Sequence, residues 1–84
     1  MTDRTHAYQL AQRAIADLKA AVLQVLVSAP VPGLTNAEIG RALGIYSGHE
    51  GHEGHISRTM LEMLKTEGVA EQDPKTKIWS AIGR

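Results

Sequence analysis

Leu34-Thr35-Asn36-Ala37-Glu38-Ile39-Gly40-Arg41-Ala42-Leu43-Gly44 writes out a short helix with both of its ends. The Thr35 hydroxyl is placed to accept the Glu38 amide while the Glu38 carboxylate reaches back, a capping box that starts the helix near Asn36. Ile39, Ala42 and Leu43 form its apolar face, and Gly44 supplies the left-handed conformation on which helices stop. Upstream, Ala29-Pro30-Val31-Pro32-Gly33 forbids helix and imposes an extended turn. Before it, residues from about 7 to 28 contain no Gly or Pro, and Ile15, Leu18, Val22, Val25 and Leu26 recur at helical spacing.

Downstream, Ile45 to His55 carries a tandem Gly-His-Glu repeat whose glycines oppose continuous helix, so a loop is expected there. A second long periodic stretch follows, from about 55 to 67, with Ile56, Met60, Met63 and Leu64 on one face, Leu61 at its edge and Gly68 as its stop. Val69 to Asp73 and Lys77 to Ile82 then predict two strands joined by the turn residues Asp73-Pro74-Lys75-Thr76. The expected fold is mainly α with a small β-hairpin, an α+β chain ordered helix, helix, helix, strand, strand.

Composition narrows the function. The 84 residues suffice for one domain (1–84) and one core, too thin for a catalytic cleft at little cost. At 43% hydrophobic and 21% charged the chain is ordinary for a globular protein, and with no cysteine it has neither a disulfide framework nor a thiolate zinc site. The opening Met1-Thr2-Asp3-Arg4 lacks a secretory pattern, and the longest apolar stretch, Ala20 to Val27, is broken by Gln24, so a cytoplasmic protein without a membrane span is expected. Walker, dinucleotide and Gly-x-Ser-x-Gly motifs are missing, so the expectation is a binding module, not an enzyme, with no cofactor. Nine basic and nine acidic residues give zero formal net charge, which argues against purely charge-driven nucleic-acid binding.

From about Gly33 to Ile82 the pattern resembles the winged helix-turn-helix family. The resemblance rests on Leu34 to Gly44, on Ile56-Ser57-Arg58-Thr59-Met60-Leu61-Glu62-Met63-Leu64, and on Glu67-Gly68-Val69-Ala70-Glu71-Gln72-Asp73 before the hairpin. It implies a recognition helix at about 55–67 in the major groove and a wing at about 73–77 on the phosphate backbone, in a small transcriptional regulator or a DNA-recognition module of a larger enzyme. Winged helices also serve as protein-interaction modules, and that alternative stays open.

On this resemblance the DNA-contacting candidates are Thr35, Tyr46, His52, His55, Ser57, Arg58, Thr59, Glu62, Lys65, Lys75, Thr76 and Lys77. Arg58 is the choice for guanine or phosphate because a guanidinium offers two parallel donors; the competing reading is a solvated face with an Arg58–Glu62 pair. Lys75, Thr76 and Lys77 have the composition of a phosphate clamp, or of a solvated hairpin tip. Tyr46 either offers its hydroxyl to phosphate or packs on the turn. Trp79 is expected in the core beneath the wing rather than as a base-stacking platform. His49, His52 and His55 share a spacing that suits a metal, giving a histidine-based metal sensor as a further alternative, but Gly48, Gly51 and Gly54 work against ordering them and no metal is expected. Finally, Tyr8, Leu10, Ala11, Ala14 and Ile15 add apolar surface beyond the core segment of the first helix, so a homodimer paired through that helix is expected, with double-stranded DNA as the other partner.

Overall fold

The computed structural model describes residues 2–47 and 53–83. Three helices, α1 (Thr2–Ser28), α2 (Asn36–Ala42) and α3 (His55–Thr66), precede an antiparallel hairpin of β1 (Ala70–Gln72) and β2 (Trp79–Ala81). The order is the one expected from the sequence, and its shape is compatible with a winged-helix-like fold. No helix among the described residues is long and apolar enough to cross a membrane.

The core gathers one side of every element: Val22 and Leu26 of α1, Ile39 of α2, Met60, Leu61 and Leu64 of α3, Ala70 of β1 and Trp79 of β2. Trp79 is 1% exposed, the core position expected of it, and burying an aromatic of that size contributes on the order of 2–3 kcal/mol. It also serves as a junction. Leu34 exchanges two backbone hydrogen bonds with Trp79, N–H to O at 3.0 Å one way and 2.7 Å the other, adding a one-residue bridge outside β2. Gly33 makes that approach possible: at φ +127° its missing Cβ would lie 2.1 Å from the Trp79 carbonyl oxygen.

α1 begins at Thr2, five residues before the expected start, because nothing from Thr2 to His6 breaks a helix. Its C-terminal half packs on α3 and β2 through Ile15, Leu18, Val22, Val25 and Leu26, and Lys19 pairs with Glu67 beyond the end of α3. Every residue from Arg4 to Ala14 is exposed, so the helix runs past the body that it covers.

The strands are shorter than Val69 to Asp73 and Lys77 to Ile82. The Asp73 carboxylate accepts the amides of Lys75 at 2.7 Å and Thr76 at 3.0 Å, which turns the chain before the ladder can extend. The face of α3 also differs from expectation. Leu61, expected at the edge, is fully buried, whereas Ile56, expected in the core, is 41% exposed. The helix is rolled toward α2, burying Ser57, Met60, Leu61 and Leu64.

Candidate nucleic-acid interface

The site is built on how α2 holds α3. The capping box forms as the sequence indicates: the Thr35 hydroxyl accepts the Glu38 amide at 3.2 Å, and the Thr35 amide donates to the Glu38 carboxylate at 2.8 Å. The Thr35 hydroxyl also donates to that carboxylate at 3.1 Å, so its hydrogen-bonding capacity is engaged in starting α2.

One residue on, Asn36 reaches across to α3. Its Nδ2 donates to the Gly54 carbonyl at 3.1 Å, and its Oδ1 accepts the Ser57 hydroxyl at 2.7 Å. Ser57, expected as a contact residue, is therefore interior, 0% exposed and bonded within the chain. The roll of α3 places it against α2, where Gly40 leaves room and Asn36 meets its polarity: a Cβ on Gly40 would stand 3.1 Å from the Ser57 oxygen. Asn36 was not among the sequence candidates. Gly54, at φ +81°, could not carry a side chain either, since a Cβ would lie 2.5 Å from the Asn36 Nδ2.

Tyr46 packs its ring on the turn. It is half-buried, its ring lies against Gly40 and Gly54, and the Arg41 guanidinium stacks over it at 4.7 Å from the centroid. The segment between α2 and α3 is closed at its base by a hydrogen bond from the Gly54 amide to the Ser47 carbonyl, 3.1 Å. His49 and His52 lie outside the described residues. His55, the third histidine of the candidate metal set, is exposed in the first turn of α3.

With Ser57, Met60, Leu61 and Leu64 turned inward, α3 leaves His55, Arg58, Thr59, Glu62 and Lys65 exposed. Arg58, Thr59, Glu62 and Met63 line one shallow groove on that side. The Thr59 hydroxyl donates back to the His55 carbonyl at 2.8 Å, which satisfies its proton within the helix. The Arg58–Glu62 pair that their spacing permits is not formed.

The hairpin carries Lys75, Thr76 and Lys77 at its tip, all exposed. The Lys77 amide donates to the Asp73 carbonyl at 2.8 Å, and the Ile78 amide donates to the Thr76 hydroxyl at 3.3 Å. Lys77 sits at φ +66°, uncommon for a residue with a Cβ. Amide donors from Thr76 and Lys75 hold the Asp73 carboxyl below its ordinary value, so this tie is present at neutral pH and is lost as pH falls through that lowered value.

Compared with protein-family models, curated proteins and solved structures, the chain has no significant match.

Proposed function

We propose that this chain is a cytoplasmic DNA-binding module of winged-helix type, a single domain without catalytic activity, in which α3 enters the major groove and the wing lies on the phosphate backbone. The observation that carries the reading is α3 itself. It is fixed from behind by the Asn36–Ser57–Gly54 bonds, while Arg58, Glu62 and Lys65 face outward with no ion pair among the described residues. A rigid helix offering free polar side chains suits base edges, and exposed lysines on a tied turn suit phosphates. The role is that of a small transcriptional regulator or of the recognition part of a larger enzyme. Two chains paired through the uncovered turns of α1 would bring two copies of α3 to one duplex, adding contacts that a chain of zero net charge lacks alone.

The test is a mobility-shift titration on random-sequence duplex at low and moderate salt. Affinity is expected to fall with ionic strength as phosphate contacts release counterions. Arg58→Ala is expected to weaken binding by about 1–3 kcal/mol with the fold intact. The balanced charge favours a second reading, a protein-docking winged helix, and salt-independent failure to shift any duplex would select it.

A further inference from the structure

We infer that α3 reads a guanine and a cytosine about two base-pair steps apart, with Arg58 on the guanine and the Glu62 carboxylate on the cytosine. This rests on the DNA reading above and adds to it a sequence class for the partner.

Glu62 is an acidic side chain on the face proposed to meet a polyanion. Arg58 and Glu62 stand four residues apart, a spacing at which opposite charges on a helix can pair, although the base-before-acid order is the weaker of the two. Both are exposed and both line the same groove, yet among the described residues neither makes an ion pair or a side-chain hydrogen bond. The acid is therefore not used to neutralise the base. A carboxylate turned into the groove is repelled by phosphate and by every base acceptor, so it adds to binding there only where it accepts a hydrogen bond.

The major groove offers two such donors, the amino groups of cytosine and adenine. Beside the adenine amino group lies the N7 acceptor, which a carboxylate cannot satisfy, whereas cytosine presents its amino group alone. Glu62 thus selects cytosine. Arg58 has the complementary preference, since its paired donors match the O6 and N7 acceptors of guanine. Four residues of helix advance about 6 Å, close to two steps of about 3.4 Å along a DNA strand. Thr59, whose hydroxyl donates to the His55 backbone carbonyl, flanks them and adds no further charge. Zero net charge fits this arrangement: with little excess of base, backbone contacts hold any duplex weakly, and matching these two positions adds the preference for one sequence.

Selection from a random duplex library, with wild type, Glu62→Gln and Arg58→Ala each confirmed folded by circular dichroism, tests the inference. Wild type is expected to enrich sites holding the guanine and the cytosine, and changing that C·G pair to A·T is expected to weaken binding about 5- to 30-fold. Glu62→Gln is expected to shift the preference at the cytosine position to adenine, because a carboxamide offers both a donor and an acceptor to the adenine edge. Arg58→Ala is expected to lose the guanine and keep the cytosine. Salt-dependent duplex binding by wild type with no enriched motif, or with a motif unchanged in Glu62→Gln, overturns this inference and leaves the DNA reading standing. No salt-dependent duplex binding at all overturns both.

Discussion

Replacing Asn36 with alanine is expected to destabilise the fold by about 1–2 kcal/mol, because that side chain holds two hydrogen bonds between α2 and α3. Each such bond contributes about 1 kcal/mol net, giving a gross loss of about 2 kcal/mol. Two effects limit it. The Ser57 proton has a second acceptor in the Gly54 carbonyl, 3.2 Å away, so no buried hydroxyl is stranded. Alanine also exceeds asparagine in helix propensity by about 0.6 kcal/mol. The remaining loss, about 1.4 kcal/mol, lowers the melting temperature of a domain this size by roughly 6–11 °C. Thermal and urea unfolding followed by circular dichroism measure it, with Ser57→Ala and the double variant completing a cycle. A coupling of about 0.5 kcal/mol or more between the two sites is expected from a direct bond. Single losses that add to the double loss within about 0.3 kcal/mol would refute the link.

Three further outcomes follow from the geometry. Gly33→Ala is expected to cost more than the Asn36 change, since its Cβ would meet the Trp79 backbone and break the Leu34 bridge; a melting temperature within about 3 °C of wild type would contradict this. Lys75→Ala with Lys77→Gly, the glycine keeping the left-handed turn, is expected to weaken binding to all duplexes alike and to flatten the salt dependence by up to about two units of slope; a loss confined to one sequence would show that the wing reads bases. Leu10→Glu, at a position 51% exposed, is expected to leave the fold intact and abolish self-association in light scattering, and a monomeric mass for wild type would remove the α1 dimer.

The elements that the sequence made legible are those whose ends are set by neighbours in the chain. Thr35 and Glu38 decide where α2 begins, Gly44 and Gly68 take the left-handed conformation expected of helix stops, and the Asp73 turn lies where its residue types put it. What escaped depends on other parts of the molecule. Whether Ile56 or Leu61 faces the core is decided by where α2 lies against α3, which no local pattern records. A signal for Ser57 did exist: it stands three, four and seven residues before Met60, Leu61 and Leu64, on the same stripe, and only its polarity suggested the outer face. The Leu34–Trp79 bridge is a single pair with no alternating run to announce it. On the candidate site, the presence of Arg58 and Glu62 was legible, but their remaining unpaired was not, because spacing permits either state.

Leu34 and Trp79 also join two distant parts of the chain. Their two hydrogen bonds close a ring that contains the whole of α2, α3 and β1, while α1 lies outside it. Trp79 takes part in the bridge from its place in the core, so the bridge ties the chain before α2 to the packed interior. Opening the bridge exposes the Leu34 and Trp79 amides together, while the capping box still starts α2 and β1 still pairs with β2. Amide-hydrogen exchange at Leu34 and at Trp79 should therefore proceed through one shared opening, separate from the fraying of the exposed first turns of α1.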